Sequence, residues 1–417
     1  MNARTDSLTR PAVARWRGAI FVIFLLNGAC IATVMSRSPG IREALGISRG
    51  EFGMLLFSLA SGSVLGLFLS NLMLARLGAR LSMAASLVAM ASGLGVVAYA
   101  VGPAADFWVT TVGLLVLGLA LGSCDVVMNV EGASLERTAN RTTLPLLHAG
   151  FSLGGVAGAV AGTAAAATRL PLGVHFTIAV AVTLAVGAVV LPWVPPRASL
   201  GDPAPAGIAA PVARPALRER LSVWADPRLL LIGVVMLGMS FSEGGANDWI
   251  AVATVDGHGG TEAQGALALT VFVSFMTAGR LTGGRVVDRF GRVIVIRVSA
   301  MIAALGIALF ILAPAPWAVL AGAGLWGLGS CLGFPLGMSA AADDPATAAR
   351  RVAAVAVIGY LAFLAGPPVL GLVSETIGIL ATLWILFGLL VLSLLAAPAT
   401  REPDGRRGLL RSVPPTR

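Results

Sequence analysis

The nine residues Gly284–Arg292, GRVVDRFGR, stand where one apolar run, 263–287, ends and the next, 293–313, begins. Spanning the roughly 30 Å hydrocarbon core of a bilayer takes about 20 apolar residues in a helix. Both runs reach that length, and the charged stretch between them is too short to form a domain. The pattern therefore predicts two membrane-spanning helices joined by a short charged loop.

The same alternation continues in both directions along the chain of 417 residues. Apolar runs of at least about 18 residues alternate with short charged or Pro/Gly-marked gaps. The predicted fold class is an all-α polytopic membrane protein with twelve transmembrane helices. The runs lie at approximately 17–36, 51–75, 81–101, 107–131, 146–168, 172–194, 229–254, 263–287, 293–313, 316–341, 350–373 and 376–398.

The composition excludes an ordinary soluble protein. Hydrophobic residues make up 57% of the chain, charged residues only 12%, and the mean hydropathy is +0.89. A soluble fold of this size would leave much of that apolar surface in water, so the lipid bilayer is the expected surrounding. The net charge of +9 does not indicate a nucleic-acid partner, because the cations are spread over short gaps without interleaved aromatic residues.

The distribution of arginine predicts the orientation in the membrane. Of the 29 cationic residues, 25 lie at the two termini, in the gaps that an even number of spans places on the same side, or in the span ends that flank these gaps. The other side holds only Arg37, Arg42, Arg49 and Arg169. By the positive-inside rule we expect both termini to be cytoplasmic, in an inner (cytoplasmic) cell membrane.

A Pro/Ala-rich stretch divides the chain into two blocks of six spans. We expect an N-terminal half at 1–194, a cytoplasmic linker at 195–228, a C-terminal half at 229–400 and a cytoplasmic tail at 401–417. The linker contains six prolines between residues 195 and 215, a composition that does not collapse into a core.

Short sequence matches between the two blocks indicate a duplication. Each match joins a span or loop to its counterpart six spans later, with an offset of 207, 213 or 216 residues. Because six is even, the two six-helix bundles should have the same orientation, as in transporters built from parallel repeats. The matched pairs are Leu121–Cys124 with Leu328–Cys331, Ala75–Arg80 with Asp288–Val293, and Asn27–Ala29 with Glu243–Ala246.

The loop between spans 8 and 9 resembles the Gly-x-x-x-Asp-Arg-x-Gly-Arg signature of the major facilitator superfamily (MFS). The resemblance implies the MFS fold for the whole chain and a gating role for the loop, through ion pairs of the Asp with a neighbouring helix end or Arg. Ordinary positive-inside charge is the alternative. The N-terminal copy departs from the signature at Asn71, Ala75 and Ala79. The matching residues of the intact copy are Gly284, Asp288, Arg289, Gly291 and Arg292.

Three further segments resemble the fucose-permease-like and MosC-like (rhizopine-locus) branch of the superfamily. They are Asp125–Asn129 in span 4, Glu243–Trp249 in span 7, and Gly366, Pro367 and Pro368 in span 11. The two prolines remove backbone donors, so we expect them to interrupt and kink span 11.

Four acids lie within predicted spans, where a charge costs about 2.5–3.5 kcal/mol on insertion scales and is a functional candidate by default. They are Asp125, Glu131, Glu243 and Asp248. At about 100° per residue, Asn129 shares a helix face with Asp125, and Asn247 shares one with Glu243. Carboxylate and amide groups together supply acceptors and donors for a polyhydroxylated solute.

The family resemblance implies that a span-4 acid can carry a coupled proton, which makes Asp125 the first candidate. In span 1 only Asn27 stands where the fucose-permease pattern has an acid. Glu131 is as readily explained by contact with water or Arg137. Asp248, beside the interfacial aromatic Trp249, is either an outer-vestibule residue or a helix cap. Arg280 is expected to snorkel to the membrane surface.

The expected function is that of a secondary transporter working by alternating access, coupled to protons and monomeric, with a small sugar- or cyclitol-like molecule as its solute. A drug or metabolite exporter of the same fold is the close alternative, and a non-transporting receptor a more distant one. An enzyme is not expected, since no nucleophile and base, cofactor motif or metal-ligand spacing can be assembled. We accordingly expect no cofactor and no metal.

Overall fold

A computed structural model describes residues 9–139, 141–196, 223–344 and 347–402, which are mainly helical and contain no β-strand. The linker predicted at 195–228 lies mostly outside these residues, and so does the predicted tail beyond residue 402. In chain order the α-helices are α1 Arg10–Ser36, α2 Ser38–Leu45, α3 Arg49–Tyr99, α4 Phe107–Ala139, α5 Leu144–Ala167, α6 Leu172–Val190, α7 Pro227–Val252, α8 Glu262–Phe290, α9 Arg292–Leu312, α10 Pro316–Ser330, α11 Gly333–Ala341, α12 Ala348–Ile377, α13 Ile379–Thr382 and α14 Trp384–Ala396.

Eleven helical segments of the described residues are long and apolar enough to cross a membrane. One of them, Arg49–Ala104, is 56 residues long, more than twice the length that a bilayer requires. Gly78 divides it, because its φ of 74° and ψ of 171° are not helical. The segments on either side of Gly78 correspond to predicted spans 2 and 3. The prediction of twelve transmembrane helices is therefore confirmed.

Several helices begin at residues whose side chains satisfy free backbone donors. Ser48 accepts a hydrogen bond from the backbone N–H of Glu51, whose carboxylate accepts in return from the Ser48 backbone, which is a complete capping box. Asp226 caps α7 by accepting from the N–H groups of Arg228 and Leu229. These capping residues fix where helices α3 and α7 begin.

The duplication read from the sequence is visible in the backbone. Gly78 and Gly291, 213 residues apart, end their helices with φ of 74° and 78°, values that favour glycine. Gly118 lies so close to the Leu59 carbonyl that a Cβ would collide with it, and Gly327 lies equally close to the carbonyl of Phe272. Equivalent helix pairs in the two halves thus approach each other through equivalent glycines.

Contacts group the described residues into two units. The first consists of residues 9–196 together with 261–270, and the second of residues 223–260 together with 271–402. In the first unit α3 packs against α4 and α1 against α5, whereas in the second α9 packs against α10 and α7 against α12 and α14. The first nine residues of α8 belong to the first unit and the remainder of α8 to the second.

The structure contradicts the interruption that we expected in span 11. Helix α12 runs without a break from Ala348 to Ile377 with Pro367 and Pro368 inside it. Proline has a φ compatible with a helix, so the chain can remain helical even though two backbone hydrogen bonds are lost. The bend expected at Gly366 stays a prediction.

Candidate functional site

In the first unit, the acid and amide of α4 meet as their spacing predicts. The Asn129 side-chain nitrogen donates to the backbone carbonyl of Asp125 at 2.9 Å and to its Oδ1 at 3.3 Å. Both side chains are half-buried. Within the described residues Asp125 forms no ion pair with a cation. The α4 site is thus a carboxyl group held by an amide, without a basic partner.

Asn27 contacts the backbone of α4 instead of lining an open site. It is 2% exposed, and its amide nitrogen donates to the Leu121 carbonyl at 3.4 Å and lies 3.8 Å from the Met128 sulfur. A polar side chain buried between helices is stabilised by such a bond, so Asn27 joins α1 to α4.

Glu131, six residues further along α4 than Asp125, is only 5% exposed. The alternative in which it reaches water is therefore wrong, and the alternative in which it pairs with Arg137 stays a prediction. The reason is packing: its helix face is covered, whereas Arg137, nearer the end of α4, is exposed and donates to the Ser134 hydroxyl at 2.9 Å.

In the second unit, Glu243 of α7 is paired with Arg280 of α8. The Arg280 Nη2 donates to Glu243 Oε1 at 2.6 Å, and its Nε donates to the Cys331 carbonyl at 3.3 Å. The expectation that Arg280 snorkels is wrong, because a carboxylate and a carbonyl bind it in place. Asn247 donates to the Glu243 backbone carbonyl at 2.9 Å and so stands one turn along the same face.

The structure contradicts the helix cap predicted for Asp248 and the interfacial position predicted for Trp249, whereas the outer-vestibule alternative for Asp248 stays a prediction. Helix α7 continues to Val252, so Asp248 is inside the helix and does not cap it. Trp249 is fully buried and is not an interfacial aromatic side chain. Asp248 is half-buried and lies about 140° around the helix from Glu243. The two acids of α7 therefore face different surroundings.

The charged loop places its residues in two environments. Gly284, Asp288 and Arg289 are exposed, and the Asp288 side chain forms no hydrogen bond or ion pair within the described residues. Arg292 is 2% exposed, and its Nη2 donates to Asp343 Oδ1 at 2.6 Å. The ion pair expected of the loop is therefore made by Arg292 and not by Asp288, because Arg292 follows the turn at Gly291 and points into the packed end of α9.

Asp343 connects Arg292 to a second helix. Its Oδ2 accepts from Arg228 at 2.9 Å, and Arg228 also donates to the Ala399 carbonyl at 3.0 Å. Glu402 accepts from the Arg292 backbone N–H at 3.1 Å. The starts of α7 and α9 and the end of α11 are thus joined through one buried carboxylate, which sequence reasoning did not single out.

A cavity of about 620 Å³ lies in the first unit, beside the ends of α1 and α5 and the start of α8. Its charged lining residues are Arg37, Glu43, Arg169 and Glu262. Across the described residues, no three His, Cys, Asp or Glu side chains cluster in a way that could hold a metal ion.

Comparison with known proteins identifies the family. The model of the Major Facilitator Superfamily matches residues 20–259 and 246–415, which together cover most of the chain. The chain belongs to the major facilitator superfamily. It is a multi-pass membrane transporter of this superfamily, as the loop signature and the twelve spans predicted.

Relatives and solved structures agree with this assignment. An uncharacterized transporter, y4wD, of Sinorhizobium fredii is 30% identical over 88% of this MFS chain and 93% of its own. The membrane protein MosC of Rhizobium meliloti is 27% identical over 89% and 86%. Among solved structures, the nucleoside transporter NupG has a TM-score of 0.65 at 17% identity, with 93% and 98% of the two chains covered. The E. coli fucose:proton symporter FucP has a TM-score of 0.60 at 16% identity over 93% and 98%. At these identities, the NupG and FucP structures show a shared fold and no more.

Proposed function

We propose that this MFS transporter is a proton-coupled secondary carrier that moves a small sugar- or cyclitol-like solute by alternating access. The observation that carries the proposal is the Asp125–Asn129 contact in α4. A half-buried carboxyl inside a membrane helix is costly to keep charged, and a group without a cationic partner can gain and lose a proton without breaking an ion pair. Asp125 is accordingly assigned the coupling proton.

The solute-binding role rests on the polar row of α7 and α8. Glu243, Asn247 and Arg280 offer carboxylate, amide and guanidinium groups, which suit a molecule rich in hydroxyls. The fold is shared with a fucose:proton symporter and also with a nucleoside transporter, so the proposed class of solute rests on these side chains. Asp248 is a further candidate for proton or solute contact on the other side of α7.

The proposed setting is an inner cell membrane with both termini on the cytoplasmic side, and the working form is a monomer. The excess of arginine on one side of the spans supports this orientation. One charge crossing 100 mV supplies about 2.3 kcal/mol, so the membrane potential can drive accumulation without ATP. An exporter of the same fold would instead move solute outward.

The proposal is tested in proteoliposomes with an imposed pH gradient, using radiolabelled L-fucose, D-glucose and myo-inositol as probes. We expect Asp125→Asn to abolish gradient-driven accumulation while exchange of a probe between the two sides continues. Asp106→Asn is the matched control, because Asp106 caps the same helix through the Val109 N–H and asparagine caps equally well. Uphill transport by Asp125→Asn at the control rate would remove Asp125 from the coupling role.

A further inference from the structure

We infer that Arg280 is a solute-anchoring residue and that the Arg280–Glu243 pair selects uncharged vicinal diols over sugar acids and amino sugars. The inference rests on the proposed carrier function. It adds the charge class of the solute and names Arg280 as a residue that recognises the solute. It comes from the geometry of a guanidinium that sequence reasoning had assigned to the membrane surface.

Arg280 lies well inside its helix and on the opposite side of the helix from a row of exposed residues. Ten residues separate it from the end of α8 at Phe290, about 15 Å along the axis. Phe275, Ala278 and Thr282 form an exposed row, and at about 100° per residue Arg280 stands roughly 140° to 160° around the helix from them. The accessible part of Arg280, 29% of its side chain, therefore faces the side of α8 that is turned away from lipid.

The pair has unused hydrogen-bonding capacity on both partners. A guanidinium carries five N–H donors. In Arg280, one N–H on Nε and one on Nη2 are used, by the Cys331 carbonyl and Glu243 Oε1. The other three donors and the second oxygen of Glu243 have no partner among the described residues. The free N–H donors of Arg280 thus lie beside a free carboxylate oxygen of Glu243, and both side chains are partly accessible.

The chemistry that satisfies both groups is a hydroxyl, which donates and accepts at once. Two neighbouring hydroxyls can take two donors of the planar guanidinium, while one of them donates to Glu243. Arg280 and Glu243 together are neutral, so a solute carboxylate or ammonium is attracted by one partner and repelled by the other and gains no net compensation for leaving water. An ion pair inside a membrane helix bundle is costly compared with apolar side chains, so its presence here fits a binding role.

The test measures binding by thermal stabilisation of the purified transporter in detergent. The probes are D-glucose, L-fucose and myo-inositol, together with D-glucuronate and D-glucosamine, which differ from glucose by one charged group. The variants are Arg280→Lys, which retains the charge without the fork, and Arg280→Gln. Arg297→Gln is the matched control, since Arg297 is an exposed arginine of the next helix.

We expect at least one uncharged probe to bind and to lose about 10- to 100-fold in affinity in both Arg280 variants, the range typical of a hydrogen bond to a charged group. The Arg297→Gln control should retain the affinity of the unaltered protein. Where a single variant unfolds because Glu243 is left unpaired, the neutral double variant Glu243→Gln/Arg280→Gln takes its place in the same titration.

The remaining outcomes separate the two proposals. An uncharged probe that binds Arg280→Gln with undiminished affinity overturns the anchoring role alone. Tighter binding of glucuronate or glucosamine than of every uncharged probe overturns the charge selection. If none of the three uncharged probes binds or is exchanged, the proposed sugar- or cyclitol-type function itself fails.

Discussion

Arg37 Nε donates to Glu262 Oε1 at 2.7 Å, and the Arg37 side chain is only 3% exposed. Its Nη2 also donates to the Leu170 carbonyl at 3.1 Å, so the guanidinium ties the end of α1 to the start of α8 and to the turn before α6. Gly40 leaves room for the Glu262 carboxylate, because a Cβ at this position would collide with Glu262 Oε1. One buried cation thus attaches the first residues of α8 to the first unit.

Removing only one partner of this pair should be more harmful than removing both. Glu262→Ala leaves the buried guanidinium of Arg37 without its carboxylate, and we expect a loss of about 3–5 kcal/mol in the free energy of unfolding. The double variant Arg37→Met/Glu262→Ala, which buries no charge, should recover most of that loss. Unfolding in mixed detergent micelles measures all the variants.

Glu43→Ala serves as the control for this cycle, because Glu43 lines the same cavity but forms no ion pair with Arg37 in the described structure. If the double variant is no more stable than Glu262→Ala, the unpaired charge is not the source of the destabilisation.

Asp343 should matter for stability and Asp288 should not, although only Asp288 belongs to the loop signature. Asp343→Asn deprives Arg292, whose side chain is 3% exposed, of the nearer of its two carboxylates, since Glu402 Oε1 remains 3.4 Å from Nε, and we expect a loss of about 1.5–3 kcal/mol. Asp288→Asn, at an exposed position, should change stability by no more than about 0.5 kcal/mol. The measurement is the free energy of unfolding of each variant. Equal losses of stability in Asp343→Asn and Asp288→Asn would contradict the role assigned to Asp343.

The Asp226–Arg351 pair should make stability depend on pH in the acid range. Burial alone would raise the pKa of Asp226, but the Arg351 guanidinium and the N–H groups of Leu229 and Arg228 together hold it below its ordinary value. A lowered folded-state pKa contributes stability above the unfolded-state pKa, which is lost as pH falls through the folded-state value.

Asp226→Asn is the informative variant, because asparagine retains the helix cap and removes only the charge. The difference in unfolding free energy between the unaltered protein and this variant should be constant from about pH 7 to 5 and shrink below about pH 4. In an Arg351→Gln background the pH dependence should weaken. A difference that persists undiminished to pH 3 would contradict the assignment.

Much of the fold follows from patterns that are local in the chain. Length and apolar content predict each span, and the glycine at position 78 divides α3 as the sequence-based boundary between spans 2 and 3 requires. The contact between Asp125 and Asn129 follows in the same way, because residues four apart on a helix are neighbours whatever surrounds them. Pro367 and Pro368 show the limit of such rules, since the helix continues through them.

The sequence by itself therefore determined the membrane-spanning segments, the duplication and the family, because these depend on composition, periodicity and short motifs. Only the tertiary structure decided which charges are paired. Glu243 with Arg280, Arg37 with Glu262 and Arg292 with Asp343 lie 37, 225 and 51 residues apart. The energy of an ion pair depends on distance in space and on burial, and neither quantity is encoded in the spacing of two residues along the chain.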